Sequence, residues 1–445
     1  MSETAAAGPA APAPMSAAYR RYALSVLLVI YTLNFLDRQI MSVLAEPIKN
    51  DLGLTDTQLG LMTGLAFAVF YTVLGIPIAR FAEHANRPLI IATATAVWSA
   101  FTVLCGYAQN FVQLVVARIG VGVGEAGCTP PAHSLIVDYT PKEKRASALA
   151  FYSLGTPLGG LLGMVLGGLV ADAYGWRVAF LVAGAPGVVM ALVAAFTLVE
   201  PRTKLKAALE AKRAAAPSFG DAMRELRTKR TFWLVAFAGA IKAFIGYGSA
   251  AFIVSFFLRN HSAELAEVSA SFGLKPLGFV ALVLGVVAGV AGAAGTWLGG
   301  FLGDRFGGRD LRFNMAMPAI ATLVSIPFYV FGLLTESLVV ALVVLAIPPI
   351  LNTLWYGPVY ATVQGLVRPE TRATAAAILL FIINLIGLGL GPLGIGIISD
   401  LLASAFGLGV NDGLRWALIV FYCLGATAFI LFWAARRTIR EEMVS

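Results

Sequence analysis

The feature that most constrains this chain is a series of long apolar runs, each able to cross a membrane. The first, from Tyr22 to Ala45, reads YALSVLLVIYTLNFLDRQIMSVLA, and at 1.5 Å per residue a helix of that length spans a hydrocarbon core. The composition agrees, because only 13% of the residues are charged against roughly 25% in a soluble domain. We predict an all-α integral membrane protein whose twelve spans have the approximate limits 22–46, 57–79, 88–107, 111–137, 145–170, 178–199, 232–258, 277–302, 313–333, 338–363, 373–399 and 414–435.

The distribution of Lys and Arg predicts the orientation of the spans. Of the 32 basic residues, 24 fall at the two termini or in the loops that share their face, whereas five fall on the opposite face. Cytoplasmic loops carry the excess of Lys and Arg. We therefore expect both termini to be cytoplasmic, in a membrane that we predict to be the bacterial inner membrane. The net charge of +8 lies in connectors rather than on a soluble face, so no nucleic-acid partner is expected.

A charged, Ala-rich connector divides the spans six and six. The expected organisation is a disordered cytoplasmic leader (1–19), a first six-helix bundle (20–199), a partly helical linker (200–230), a second bundle (231–437) and a cytoplasmic tail (438–445). Three short segments recur between the halves at offsets of 225 to 228 residues, among them Gly168–Asp172 and Gly396–Asp400. Such duplication is typical of transporters in which two bundles rock around a site at the midplane.

Four ionisable residues in the first half are the strongest candidates for chemistry. Asp37 and Arg38 lie inside span one, and Arg118 and Glu125 lie two helical turns apart on span four. Charges inside a membrane are costly and mark transport pathways or proton relays. We assign Asp37 and Glu125 to proton coupling, and Arg38 and Arg118 to tuning them or to binding an anionic headgroup. The alternative is that these residues form structural pairs that fix helix packing.

The second half has fewer charges and more aromatic residues. Lys242 is its one basic residue deep within a span, and it either faces the cavity or snorkels to the cytoplasmic surface. Charges in one bundle and aromatics in the other suit an amphiphile, although aromatic stripes most often serve packing. Together with Asn34 of span one, the cavity candidates of the second half are Lys242, Phe244, Tyr247, Trp355, Tyr356, Phe381 and Asn384.

Two loop motifs resemble those of the major facilitator superfamily. The second half carries G-x-x-x-D-R-x-G-x-R as Gly300–Arg309, with Asp304 and Arg305 at its centre. In the first half, Gly75 and Arg80 match, but Ala79 replaces the Asp, for which Glu83 is a candidate substitute. In that family this loop clamps the cytoplasmic face. The resemblance, over residues 20–437, implies a fold of two pseudo-symmetric six-helix bundles.

Within that superfamily, the chain is similar to spinster-type lipid transporters. The similarity rests on Asn34-Phe-Leu-Asp37-Arg38 in span one and on Gly124-Glu125-Ala126 in span four. It implies a substrate of the lysophospholipid or sphingoid phosphate class, moved by a protein that commonly works as a monomer. The expected partners are thus an amphiphilic substrate, protons and membrane lipids.

Other function classes are less well supported by the sequence. A transporter of small organic anions or a multidrug exporter of the same fold remains the main alternative. No nucleophile–base pair, metal-ligand spacing or phosphate-binding loop is present, so we expect no enzyme activity, no metal and no cofactor. A membrane sensor would append a signalling domain. We therefore predict a secondary transporter that works by alternating access.

Overall fold

The computed structural model describes residues 15–82, 85–201 and 219–444, and within these ranges the chain is helical, with no β-strand. Twelve helical spans are long and apolar enough to cross a membrane, which confirms the predicted number. The helices of the first half are Ala17–Val43 (span one), Ala45–Leu52, Asp56–Gly60 with Leu61–Leu65 and Ala66–Ala82 (span two), Arg87–Cys105 (span three), Phe111–Glu125 with Thr129–Tyr139 (span four), Lys142–Lys144, Arg145–Ser153 with Gly155–Tyr174 (span five) and Trp176–Thr197 (span six).

The second half repeats this arrangement. Its helices are Phe219–Thr228, Arg230–Asn260 (span seven), Ser262–Ser271, Pro276–Leu302 with Gly303–Gly307 (span eight), Phe313–Leu334 (span nine), Leu338–Leu345 with Pro348–Thr353 and Tyr356–Gly365 (span ten), Arg372–Ile382 with Ile383–Leu390 and Gly391–Ser404 (span eleven), and Gly409–Cys423 with Gly425–Glu442 (span twelve). Most of the predicted leader and linker (1–14 and 202–218) lies outside the described residues.

Three spans contain a stretch of π-helix, and two of these stretches face each other. Leu61–Leu65 of span two packs beside Ile383–Leu390 of span eleven. A side chain at Gly64 would come within 2.6 Å of the Gly389 carbonyl, so glycine is required for this close approach of two backbones. The halves therefore meet along a seam in which small residues replace side-chain packing.

The two halves are tied together at one end of the spans. We call the face that holds the start of span one and the end of span twelve the terminal face, and the opposite one the far face. At the far face, the Asp400 carboxylate accepts hydrogen bonds from the backbone N–H groups of Asp56 (3.1 Å) and Thr57 (2.8 Å), at the start of span two. Its repeat counterpart, Asp172, accepts one from Gly278 at the start of span eight. Each bundle thus caps a helix N-terminus of the other, where a negative charge is stabilising.

A buried ion cluster reinforces this closure. Arg259, at the end of span seven, makes two hydrogen bonds to the Asp56 carboxylate (2.8 Å each) and also binds Glu46 (2.7 and 2.9 Å). Lys49 and Ser399 donate to the same Asp56 carboxylate at 2.5 and 2.7 Å. Bidentate pairs of this kind combine strength with a fixed geometry. The far face is therefore sealed by side chains from both halves.

Towards the terminal face the bundles separate. Met164 and Leu161 of span five lie within contact distance of a side chain built at Gly285 of span eight. The positions where side chains would project from Gly160 on span five, and from Gly289 and Gly292 on span eight, meet open space. The protein is thus open between its halves towards the terminal face and closed at the far face.

A linker helix docks on the terminal face of the second bundle. The Glu225 carboxylate of Phe219–Thr228 accepts hydrogen bonds from the Arg368 backbone N–H (3.0 Å) and the Thr371 hydroxyl (2.8 Å). Burial raises the pKa of Glu225, but these hydrogen bonds and the charge of Arg368 outweigh it and hold the pKa below its usual range. Because the folded-state pKa is depressed, this stabilisation is present above the ordinary carboxyl range and is lost as the pH falls through the lowered pKa.

We expect Glu225→Gln to loosen this helix at pH 7. Loss of a charge-assisted contact predicts amide exchange about tenfold faster over residues 219–228, measured by hydrogen–deuterium exchange mass spectrometry. Glu370→Gln, at an exposed carboxylate in the adjacent loop, serves as the control and should leave exchange unchanged. Equal protection of residues 219–228 from exchange in Glu225→Gln and Glu370→Gln would mean that Glu225 does not hold the helix.

Candidate functional site

The first bundle buries a pair of ionisable residues between spans one, three and four. Asp37 accepts a hydrogen bond from the Thr102 hydroxyl (2.7 Å) and lies 3.5 Å from an Arg118 nitrogen. Asp37 is 2% exposed and Arg118 is 1% exposed, so neither charge is solvated by water. A buried charge is tolerated only where a counter-charge is at hand, and here two different helices supply the pair.

A second pair lies beside the first, and its carboxylate, Glu125, is nearer the middle of span four (Phe111–Tyr139) than Arg118 is. The Arg38 Nε donates to the Glu125 carboxylate at 2.6 Å, and Glu125 is fully buried while the Arg38 side chain is 17% exposed. The Arg38 guanidinium also lies over the ring of Tyr71, 4.4 Å from its centroid, and over that of Phe67 at 5.0 Å. Such cation–π contacts hold a cation where water is scarce. Arg38 is therefore the member of the cluster that remains accessible.

A break in span four places Glu125 at this point. The helix Phe111–Glu125 ends at Glu125, a turn follows at Ala126–Cys128, and Thr129–Tyr139 continues the span. A side chain at Gly122 would come within 2.6 Å of a backbone carbonyl of span two, and one at Gly124 within 2.5 Å of the backbone of span three. The glycines thus let span four pack closely enough to bury the carboxylate.

Each carboxyl group retains one buried oxygen with no hydrogen-bond donor in the described part of the chain, Asp37 Oδ2 and Glu125 Oε1. The two carboxyl groups interact electrostatically with each other. Asn34, one turn before Arg38 and 1% exposed, has neither side-chain polar atom hydrogen-bonded to a described residue. Buried polar atoms without partners are unfavourable. This cluster can therefore gain stability by taking up a proton or a polar ligand.

In the second bundle, Lys242 is 6% exposed and donates a hydrogen bond to the Asn352 side-chain oxygen. The Asn352 amide nitrogen donates to the Tyr329 hydroxyl at 2.7 Å, and the Tyr329 ring stacks on Tyr422. This chain of contacts links spans seven, ten, nine and twelve. Lys242 is thus directed into the bundle, and the structure does not place its nitrogen at the membrane surface.

The predicted aromatic candidates divide into two groups. Tyr247 packs against the first bundle and interacts electrostatically with Arg38, and Tyr356, 36% exposed, neighbours Tyr247. By contrast, Trp355 is 3% exposed in the core, and Phe244 stacks on Phe421 within the second bundle.

Two further candidates lie on span eleven and are half-buried. The structure assigns neither Phe381 nor Asn384 a side-chain partner among the described residues. Their sequence neighbour Gly387 contacts Ala243 of span seven. These two residues therefore stay predictions for the cavity wall.

Several residues that contact the charged cluster were not singled out from the sequence. They are Thr102, which binds Asp37, and the aromatic residues around Arg38, namely Phe35, Phe67 and Tyr71. A further pair, Tyr31 and Tyr152, stacks at 4.3 Å between spans one and five. A tyrosine inside an apolar span is the sequence signal that could have identified Tyr31, Tyr71 and Tyr152, since a buried hydroxyl usually has a polar partner.

The loop motifs lie on the terminal face, where the bundles are apart. Asp304, Arg305 and Arg309 are exposed, as is Arg80 of the first half. No described residue makes an ion pair with any of these four. Nothing lies within 4 Å of a side chain built at Gly75 or Gly300, and the proposed substitute Glu83 lies outside the described residues.

No cluster of three or more His, Cys, Asp or Glu residues with the geometry of a metal site occurs in the described ranges. The site is therefore built from ion pairs, amides and aromatic rings. Groups of these kinds can exchange protons and bind charged or amphiphilic molecules.

Comparison with known proteins identifies the family. A model of the Major Facilitator Superfamily matches residues 27–392. A crystal structure of a bacterial homologue of the human lysosomal transporter Spinster, inward-facing and unoccupied, has a TM-score of 0.86 and 33% identity, covering 97% of this chain and 100% of that one.

Two sequence relatives cover most of the chain. An MFS-type efflux pump of Mycolicibacterium smegmatis is 33% identical over 422 residues, 95% of this chain and 94% of the pump. Protein spinster homolog 1 of Xenopus laevis is 26% identical over 392 residues, 86% of this chain and 74% of that protein. The chain therefore belongs to the Major Facilitator Superfamily, within which its fold is that of the spinster-type transporters.

Proposed function

We propose that this protein is a proton-coupled secondary transporter that moves an amphiphilic lipid of the lysophospholipid or sphingoid phosphate class by alternating access. We further propose that it resides in the bacterial inner membrane with both termini in the cytoplasm. The terminal face is then cytoplasmic, and the state described above is inward-open. The similar Spinster homologue, itself inward-facing, supports this assignment.

The observation that carries the proposal is the four-residue cluster in the first bundle. Arg38 is bound to Glu125 and is the only member of the cluster with an appreciable exposed fraction. Protonation of Glu125 removes the charge that holds Arg38, so that its guanidinium becomes available to an anionic group. Proton uptake and headgroup binding are thereby linked through a single side chain, which is the physical requirement for coupling.

The distribution of polarity supports a lipid rather than a compact solute. Charged groups lie mainly on the first-bundle side, whereas Tyr247 and Tyr356 line the opposite side with aromatic surface. An amphiphile matches both surfaces at once, with its headgroup near Arg38 and its acyl chain against the second bundle. The similarity to an efflux pump favours a second candidate, export of drugs or small organic anions through the same site.

The test is ligand-induced thermal stabilisation of the purified protein at two pH values. The panel comprises lysophospholipids, sphingoid phosphates, small organic anions and cationic drugs. We expect stabilisation by a lysolipid or sphingoid phosphate that changes with pH, followed by pH-gradient-driven uptake in proteoliposomes. Stabilisation by drugs or small anions alone would reject the lipid in favour of the second candidate.

A further inference from the structure

Lys242 is the one cation in the central part of the second bundle, and it has no counter-charge there. It is 6% exposed, and no carboxylate of a described residue lies within salt-bridge distance. In the first bundle, by contrast, both arginines are already paired, Arg38 with Glu125 and Arg118 with Asp37. The charges of the first cluster sum to zero when its carboxylates are ionised, so that Lys242, in its protonated form, gives the interior one excess positive charge.

The ammonium group of Lys242 is only partly satisfied. It has three N–H donors, of which one is directed to the Asn352 oxygen. The other face of the Asn352 amide is fixed by the Tyr329 hydroxyl at 2.7 Å, and the Tyr329 ring is stacked on Tyr422. Asn352 is therefore held in one orientation. The remaining donors of Lys242 are free to bind another group.

The pair lies on the two spans that also carry the tyrosines Tyr247 and Tyr356. Asn352 is half-buried and lies four residues before Tyr356, across the break between the helices Pro348–Thr353 and Tyr356–Gly365 of span ten. Tyr356 is 36% exposed and neighbours Tyr247, which interacts with Arg38. Along span seven, Tyr247 lies five residues after Lys242, about 7.5 Å along the helix axis and about 140° around it, so that the two side chains face different sides of the helix. Asn352, which is half-buried, is therefore the member of the pair past which a ligand beside Tyr356 would approach Lys242.

We propose that Lys242, positioned by Asn352, is the anion-binding residue of the second bundle and selects substrates that carry a net negative charge on an oxyanion group. This inference rests on the proposed transport function and names the charge of its substrate. A bound phosphate or carboxylate neutralises the excess charge and fills the free donors of Lys242. A zwitterionic or neutral headgroup does neither. The Lys242–Asn352 pair then distinguishes headgroups, while the aromatic surface accepts the apolar chain.

The test compares binding of three lipids with the same acyl chain: lysophosphatidylglycerol (anionic), lysophosphatidylcholine (zwitterionic) and monoacylglycerol (neutral). Affinities are measured on the full-length protein in neutral detergent without a pH gradient. We expect Lys242→Gln to weaken binding of the anionic lipid about tenfold or more and to leave the other two unchanged. Lys242→Arg retains the preference. Lys144→Gln, at an exposed lysine on the terminal face, controls for loss of a positive charge and should change nothing.

The outcomes separate this inference from the proposed function. If Lys242→Gln lowers the affinity for all three lipids equally, or for none of them, the anion-binding role of Lys242 is overturned. If only small organic anions bind, and their binding is lost in Lys242→Gln, the role stands while the lipid assignment fails. Loss of pH-gradient-driven transport in a Glu125 variant does not bear on this binding measurement.

The charge of Lys242 can also be tested without a ligand, by comparing melting temperatures of Asn352 variants. Asn352→Asp places a carboxylate where the Asn352 oxygen meets Lys242, and the Tyr329 hydroxyl can donate to it. If Lys242 is a cation that lacks a counter-charge, this variant should melt at a higher temperature than the wild type and lose affinity for anions. This increase in melting temperature should be absent from the double variant Asn352→Asp with Lys242→Gln. A lower melting temperature in Asn352→Asp than in Asn352→Ala would contradict the proposal.

Discussion

Replacing Glu125 by Gln is expected to abolish pH-gradient-driven uptake while leaving substrate binding and the fold intact. The amide has nearly the same shape as the carboxyl group but neither releases a proton nor carries a charge. It therefore fixes Arg38 in the state that it has when Glu125 is protonated. Asp37→Asn should have a similar effect, because it removes the charge that faces Arg118 at 3.5 Å. Without a titrating carboxyl group, proton movement and conformational change are no longer linked.

The measurement is uptake into proteoliposomes, with and without an imposed pH gradient. In the wild type we expect the gradient to raise the initial rate, and in Glu125→Gln the two rates should coincide at the level of passive exchange. Glu143→Gln, at an exposed carboxylate on the terminal face, is the matched control and should behave like the wild type. Gradient-driven uptake by both Glu125→Gln and Asp37→Asn would exclude these carboxylates as proton carriers. Melting temperatures establish that each variant is folded.

Arg38→Ala separates the two roles given to that residue. It leaves Glu125 buried without its partner, a loss that costs about 3–5 kcal/mol for a fully buried pair and less here, because the Arg38 side chain is 17% exposed. We expect Arg38→Ala to weaken the binding of phosphate-bearing ligands more than that of neutral ones. The lost stability should be partly regained in the double variant Arg38→Ala with Glu125→Gln. Equal weakening for both ligand types would make Arg38 structural.

Replacing Arg259 by Gln is expected to open the far face. Arg259 is the second-bundle partner of two first-bundle carboxylates, Glu46 and Asp56, and its side chain is 5% exposed. Without it these carboxylates remain buried without their main counter-charge, which costs about 3–5 kcal/mol in the closed state. In an opposite state of the proposed cycle that hydrates these carboxylates, the penalty would be absent and would fall on the closed state alone. The ratio of the two states should shift on the order of a hundredfold or more towards far-face opening.

The opening is measurable as a distance between spin labels across the far face. Suitable exposed sites are Gln109 in the first bundle and Ser271 in the second, after the exposed Cys423 is replaced by Ser. We expect a longer distance population in Arg259→Gln. Arg177→Gln is a close control, because Arg177 lies at the same face but its partner Asp51 belongs to the same bundle (2.6 Å). An unchanged distance in Arg259→Gln would show that the ion cluster does not hold the face closed.

Much of the site was predictable because intramembrane charges have few allowed surroundings. A charged residue in an apolar span must face a partner or a cavity, and this rule alone predicts that Asp37, Arg38, Arg118 and Glu125 lie together. Which carboxylate meets which arginine was not predictable. Residues 37 and 38 point to different sides of span one, and only the packing of spans three and four assigns Glu125 to Arg38 and Arg118 to Asp37.

The internal repeat between the two halves was likewise visible in the sequence, but its structural role was not. The segments ending in Asp172 and Asp400 matched at an offset of 228 residues, and the match was evidence for duplication. Their role became clear only in the structure, where each aspartate caps a helix of the opposite bundle. Sequence similarity records a common ancestry of the halves, whereas an inter-bundle cap depends on how the halves face each other. Trp355 and Phe244 are a further case, since both are aromatic and lie in cavity-forming spans, yet they pack inside the second bundle.

The sequence by itself determined the membrane-spanning architecture, because the length and apolarity of a span follow from the thickness of the bilayer and from the cost of burying charge. It also determined which residues carry charge within the spans. The tertiary structure alone decided which charges are paired, which face of the molecule is closed, and that Lys242 has an amide rather than a carboxylate as its partner. These features depend on distances between helices that are remote in sequence, and local residue pattern does not specify such distances.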